Sequence, residues 1–114
     1  MKLFSWNIRG INNPSKHRML RQIILQDKPS VLFVQETKCT STLLETLLKR
    51  IWKGSNVIVV DAMGALGGLV ISWKALEITI QDSFATINTI SASYQLTRPR
   101  CRGQLMNVYG PQTP

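Results

Sequence analysis

The segment Val31–Lys38 constrains the fold of this chain more than any other, because four consecutive apolar residues lead directly into Gln-Glu-Thr-Lys. An uninterrupted apolar run of β-branched and aromatic residues is typical of a strand that is covered on both faces. In sheets that contain such strands, ligand-binding groups lie at the strand ends. We therefore predict a buried strand over Val31–Glu36 that presents the Glu36 carboxylate, and Glu36 is the first candidate functional residue.

The residues before this strand predict a β-α-β unit. Lys2–Ile8 is mostly apolar on both faces, which indicates a central strand. Ser15–Gln26 has apolar residues at helical spacing and predicts a helix that Pro29 terminates. Because a crossover of this length joins parallel strands, and parallel strands end at the same edge of a sheet, we expect Asn7 and Glu36 to lie side by side.

The chain continues with one more helix. Thr42-Leu43-Leu44-Glu45 has the spacing of a capping box, and an apolar stripe runs on to about Trp52. These two signals predict an amphipathic helix that begins at Thr42.

Closely spaced strands follow this helix, separated by Gly, Asp or Ser and expected to be antiparallel. They are Asn56–Val60, Gly68–Trp73, Glu77–Asp82, Thr86–Tyr94 and Arg102–Tyr109. Gly64–Gly68 is interpreted as a hairpin rather than a phosphate-binding loop, because it lacks a Gly-x-Gly-x-x-Gly pattern and a following helix. The predicted fold class is α/β with a mixed sheet, in the order β-α-β-α followed by antiparallel strands, and residues 1–114 form one domain.

The chain is strongly basic, with 14 Lys and Arg against 6 Asp and Glu and a formal net charge of +8. Such a surplus favours a polyanionic partner, since phosphates attract Lys and Arg and release counterions on contact. The densest cluster is Arg98, Arg100 and Arg102, which are candidate nucleic-acid-binding residues. A merely basic, solvated surface is the alternative.

Cysteine usage and hydropathy bear on location. Cys39 and Cys101 are isolated, so no zinc site is expected and no disulfide is required. The sequence has neither a signal-peptide pattern nor an apolar run near the ~18 residues of a membrane span. We expect an intracellular protein, nuclear or cytoplasmic, with no membrane partner.

Three residues at predicted strand ends are candidates for chemistry. Hydrolysis of a phosphodiester commonly uses Mg²⁺ held by one or two carboxylates, and Glu36 is a plausible ligand with Asn7 beside it. Tyr109 ends the last strand and can donate a hydrogen bond to a phosphate oxygen. The structural alternatives are a solvated strand end for Glu36, a turn former for Asn7 and a residue that caps the core for Tyr109. His17, the single histidine, is interpreted as a surface residue.

Four motifs occur in a characteristic order: Ser5–Gly10, Gln35–Lys38, Gly67-Gly68-Leu69 leading to Ser72–Lys74, and Asn107–Pro111. Together they resemble the opening motifs of the endonuclease/exonuclease/phosphatase superfamily. The strongest likeness is to the apurinic/apyrimidinic-type endonuclease domain at the start of plant LINE (non-LTR) retrotransposon proteins.

The resemblance implies a four-layer sandwich of two packed β-sheets with helices outside, and DNA as the substrate. It also implies that Glu36 binds the catalytic Mg²⁺, that Asn7 positions metal and phosphate, and that Tyr109 contacts the scissile phosphate. Arg9 matches a basic position of the opening motif and is a further candidate for nucleic-acid binding.

Two later motifs of that superfamily, of the Gly-Asp-Phe-Asn and Ser-Asp-His types, do not occur in this sequence. The chain is therefore expected to correspond to the first half of the domain and to be inactive or nearly so by itself, because general-base and charge-stabilising groups each contribute orders of magnitude in rate. Half a sandwich is also expected to leave the inner face of its sheet uncovered, which favours self-association. The alternatives are a non-catalytic basic nucleic-acid-binding remnant, or part of a phosphoesterase that acts on small phosphoesters.

Overall fold

The computed structural model describes residues 1–62, 67–98 and 100–109. Within these residues the elements in chain order are β1 (Leu3–Asn7), α1 (Pro14–Asp27), β2 (Val31–Gln35), α2 (Ser41–Ile51), β3 (Ser55–Val60), β4 (Leu69–Lys74), β5 (Ile78–Ala85), β6 (Thr89–Leu96) and β7 (Cys101–Val108). The predicted element order and the mixed α/β class are confirmed.

The first sheet has the strand order β1-β2-β4-β3. Strands β1 and β2 are parallel and Asn7 pairs with Gln35, as the β-α-β prediction requires, whereas β4 runs antiparallel to both β2 and β3. The prediction that β1 is central is wrong for the part of the chain that the structure describes, where it is an edge strand. Its apolar residues are less buried than those of β2, and Leu3 is exposed.

The second sheet, β5-β6-β7, is antiparallel throughout and packs on the inner face of the first. Ile78, Ile90 and Leu105 from the second sheet meet Phe33 and Ile71 from the first in one apolar cluster. The expected uncovered inner face is therefore wrong for β2 and β4, because the chain's own later strands fold back over them. The inference of self-association through that face falls with it.

The outer face of the first sheet carries the helical layer. Leu20 of α1 and Leu44 and Leu48 of α2 pack with Val34 and Val70 in a second apolar cluster. The described residues thus form three layers, namely helices, a mixed sheet and an antiparallel sheet. Apolar side chains on the far side of the second sheet, Phe84 and Met106 among them, are exposed.

The caps of the two helices differ from the sequence prediction. Helix α1 begins at Pro14, one residue early, because the Asn13 side chain accepts a hydrogen bond from the Ser15 amide and Pro is well tolerated in the first turn. The predicted capping box at Thr42 is wrong: α2 begins at Ser41, whose amide donates to the Asp61 carboxylate. A side chain 20 positions away in sequence supplies this cap, which a local pattern does not reveal.

The structure also bears on the predicted hairpin, the two cysteines and the predicted absence of a membrane span. Part of the Gly64–Gly68 hairpin lies outside the described residues, but β3 and β4, which it joins, are antiparallel neighbours. Cys39 is buried and Cys101 exposed, and neither forms a disulfide. Burial raises the pKa of the Cys39 thiol. Over the described ranges, neither helix has the length and apolar character needed to cross a membrane.

Candidate functional site

The carboxyl ends of β1, β2 and β7 meet at one edge of the sandwich. Glu36 directly follows β2, and Tyr109 directly follows β7 in the other sheet. The Tyr109 hydroxyl donates to Glu36 Oε1 at 3.4 Å, although the two residues are 73 positions apart. Both residues are half-buried.

The backbone around Glu36 is unusual. Glu36 has φ +57° and Lys38 has φ +53°, a region that non-glycine residues rarely adopt. Hydrogen bonds from two loops hold it there: the Gly10 amide donates to the Glu36 carbonyl (2.8 Å), and the Lys38 amide donates to the Gly67 carbonyl (2.9 Å). Backbone strain that neighbouring structure maintains in this way is concentrated at functional sites.

Gly68 completes the turn opposite Glu36. Its φ is +97°, and a Cβ at this position would lie 2.1 Å from Thr37 Oγ1. Thr37 is fully buried, and its hydroxyl has no hydrogen-bond partner among the described residues. Only glycine fits here, so the predicted Gly-Gly motif serves to let the β4 turn approach the end of β2.

Asn7 and Arg9 lie at the same edge. Asn7 is exposed and in register with Gln35, the residue before Glu36. Arg9 is also exposed, with φ +52°. Lys16 of α1 anchors this loop, since its ammonium group donates to the carbonyls of Ile8 and Arg9. The backbone of Asn7 and Arg9 therefore lies at the edge where the Glu36 and Tyr109 side chains meet.

The arginine cluster lies elsewhere. Arg98 and Arg100 lie in the β6–β7 turn and Arg102 lies near the start of β7, whereas Tyr109 follows the other end of that strand. At about 3.3 Å per residue, seven residues of strand separate Arg102 from Tyr109 by roughly 23 Å. Any contact of these arginines with a polyanion is remote from Glu36. Pro99 of the same cluster and Gly110-Pro111 of the tyrosine motif lie outside the described residues.

The structure draws attention to two motif residues to which the sequence assigned no individual role. Lys38 is exposed beside Glu36, with its Cδ 3.8 Å from where a Gly10 Cβ would be. Asn107 is fully buried between the sheets. The sequence gives no local signal for this burial, because the alternating residues of β7 are compatible with either face turned inward.

His17 was interpreted as a surface residue, and the structure shows it at intermediate exposure. It is half-buried, with Nε2 2.6 Å from the Ile11 carbonyl, so the contact requires a proton on Nε2. Together with Lys16, it ties α1 to the loop that supports Glu36. The chain turns back closely from β1 into α1, and this brings His17 against the Ile11 carbonyl. Sequence periodicity alone does not predict that contact.

The donor set at this edge suits a hard cation with many water ligands. Mg²⁺ keeps several waters and is commonly bound through one or two carboxylates plus substrate phosphates. Glu36 supplies one carboxylate, and Asn7 supplies an amide oxygen at the same edge. Across the described ranges there is no cluster of three or more His, Cys, Asp or Glu side chains able to hold a metal. At this edge the described residues thus offer one carboxylate and one amide oxygen to such a cation.

Solved structures with the same fold include nucleases and phosphatases. An AP endonuclease from Leishmania major matches with a TM-score of 0.70 at 18% identity, over 93% of this chain and 39% of the endonuclease. An endonuclease/exonuclease/phosphatase family protein from Bacteroides thetaiotaomicron matches with a TM-score of 0.73 at 12% identity, over 93% and 47%. A 3′ phosphatase from Neisseria, bound to a product DNA hairpin, matches with a TM-score of 0.65 at 17% identity, over 90% and 40%.

These matches confirm the fold that the sequence motifs implied, that of a partial α/β sandwich of the endonuclease/exonuclease/phosphatase type. The chain spans less than half the length of each of these three structures. No protein-family model matches the chain, and no curated protein sequence does.

Proposed function

We propose that this chain is the first part of a Mg²⁺-dependent phosphodiesterase that acts on DNA, and that Glu36 is its metal ligand. The observation that carries the proposal is the 3.4 Å contact between Tyr109 and Glu36. Sequence reasoning selected these two residues separately, from distant segments, and they converge at one strained edge.

The proposed roles follow from the chemistry of each group. The Glu36 carboxylate binds the cation, which neutralises charge on the phosphate when bound. Asn7 orients the cation and the phosphate, and the Tyr109 hydroxyl donates a hydrogen bond to a phosphate oxygen. Arg9, on the adjacent loop, attracts the polyanionic backbone of the substrate.

DNA is proposed as the substrate on two grounds. The chain has a net charge of +8, and one structural neighbour is a phosphatase bound to a DNA hairpin. The ordered motifs further resemble those of plant LINE-type endonucleases, so we extend the proposal to an endonuclease of retrotransposon type. Within this proposal the chain alone binds metal and DNA but does not turn over, because the sequence lacks the two later motifs of the superfamily.

The second candidate function is non-catalytic nucleic-acid binding through Arg98, Arg100 and Arg102. The observation that favours it is the position of this cluster at the β6–β7 turn, far from Glu36. Binding there depends on salt but not on the carboxylate.

Fluorescence anisotropy with a labelled DNA duplex separates the two. We expect wild type to bind more tightly than Glu36→Gln when Mg²⁺ is present at fixed ionic strength, because only the carboxylate recruits a bridging cation. Equal affinities in Mg²⁺, with binding lost in an Arg100→Ala/Arg102→Ala variant, would favour the second function.

A parallel plasmid-nicking assay is expected to show no cleavage, and robust nicking that Glu36→Gln abolishes would contradict the inactivity of the chain alone.

A further inference from the structure

Asn107 is an amide buried completely between two apolar sheet faces. It lies on β7, two residues from Leu105 along the inner face and two residues before Tyr109. Its Oδ1 accepts from Gln35 Nε2 at 2.7 Å, and its Nδ2 donates to the carbonyls of Val70 (2.9 Å) and Val34 (3.4 Å).

These bonds fix the orientation of the amide. The two carbonyls can only accept, so Nδ2 must face them and Oδ1 must face Gln35. The second hydrogen of Gln35 Nε2 is donated to Ser5 Oγ at 2.9 Å. A chain of hydrogen bonds therefore crosses from the edge strand β1, through β2, to β7 in the other sheet.

Stability alone does not account for an asparagine at this place. Burial of an amide costs free energy that its hydrogen bonds roughly offset, whereas an apolar residue in the same core gains from burial. What the amide adds is direction, because apolar contacts are non-directional whereas three hydrogen bonds favour one register of the two sheets.

That register is the one on which the candidate site depends. Gln35 immediately precedes Glu36, and Asn107 precedes Tyr109 by two residues. We infer that Asn107, acting through Gln35, is a positioning residue that sets Tyr109 against Glu36 across the two sheets. The inference rests on the proposed function for its consequence in metal binding, but the geometric claim is independent of it.

Two variants break this link from opposite sides. Asn107→Leu removes the buried amide, and Gln35→Met removes the donor at a half-buried and more tolerant position. Leu105→Ala is the matched control, since it lies on the same face of the same strand and weakens the core without touching the amide chain.

The first readout is the nuclear Overhauser contact between the Tyr109 ring and the Glu36 side chain. We expect it in wild type and in Leu105→Ala, and we expect its loss in Asn107→Leu and Gln35→Met below their unfolding temperatures. If it persists in Gln35→Met and in any folded Asn107→Leu protein, or if Leu105→Ala loses it equally, the inference is overturned.

The second readout is the affinity for Mn²⁺, used as a probe of the Mg²⁺ site. Loss of a residue that orients a metal ligand typically lowers metal affinity about tenfold or more. We expect the Mn²⁺ affinity to fall by this much in Asn107→Leu and Gln35→Met. In Leu105→Ala, which leaves the orienting residues in place, we expect it to change by no more than about twofold. A wild-type chain that binds no Mn²⁺ would defeat the proposed function, while the Overhauser contact would still decide the role of Asn107.

Discussion

At the scale of single residues, the site depends on backbone conformations that most side chains avoid. Arg9, Glu36 and Lys38 all have positive φ. Gly10 and Gly68, which also have positive φ, lie in the two loops that are hydrogen-bonded to Glu36 and Thr37. Glu36 is thus presented by a strained backbone held by hydrogen bonds, and we expect a change in its supports to alter stability and geometry together.

Gly68→Ala tests this support. The new Cβ would approach Thr37 Oγ1 to 2.1 Å, so we expect a loss of about 2–4 kcal/mol in the free energy of unfolding, from overpacking together with the φ penalty. Denaturant titration measures it.

Gly67→Ala is the matched control, because its φ is also positive but a Cβ there meets nothing within 4 Å. It is expected to lose only about 1 kcal/mol, the cost of the left-handed backbone conformation alone. Equal losses in the two variants would show that Thr37 does not enforce glycine at position 68.

At the scale of elements, the sequence was most informative where a signal is local. The run Val31–Val34 predicted a buried strand, and helical spacing predicted both helices, because these patterns record which faces are covered. It was least informative where distant segments meet. The edge position of β1, the cap of α2 and the burial of Asn107 all depend on contacts that no short window contains.

The α2 cap gives an element-scale prediction. Asp61→Ala removes the acceptor for the Ser41 amide, and we expect it to destabilise the protein by about 1 kcal/mol, as loss of an N-cap does.

Thr40→Ala is the control, because Thr40 occupies the N-cap position but makes no side-chain capping bond within the described residues. Thermal unfolding followed by circular dichroism compares the two. If Thr40→Ala lowers the stability more than Asp61→Ala does, the residue that caps α2 is Thr40 and not Asp61.

At the scale of the whole molecule, the second sheet changes what the chain is expected to do. The motifs led us to expect a bare inner face, yet β5–β7 cover it and leave their own outer face exposed. The fold could be predicted from ordered motifs, whereas this division into covered and open faces could not. It depends on which strands fold back, and alternating polarity in β6 and β7 is compatible with either face turned inward.

Adjacent residues of β7 test this division. Leu105 faces the first sheet and is buried, whereas Met106 faces outward and is exposed. We expect Leu105→Ala to cost about 2–5 kcal/mol in the free energy of unfolding, from lost burial and a cavity. Met106→Ala should change it by less than about 0.5 kcal/mol. Similar costs in the purified chain would show that the outer face is also covered, for instance by a second copy.

The edge formed by Asn7, Glu36 and Tyr109 is proposed to bind a divalent cation. The most direct measurement is paramagnetic broadening by substoichiometric Mn²⁺ in the ¹H–¹⁵N spectrum. We predict that broadening centres on residues 7–10, 35–38 and 109, that excess Mg²⁺ reverses it, and that Glu36→Gln abolishes it. Broadening centred elsewhere, or unchanged in Glu36→Gln, would contradict the account.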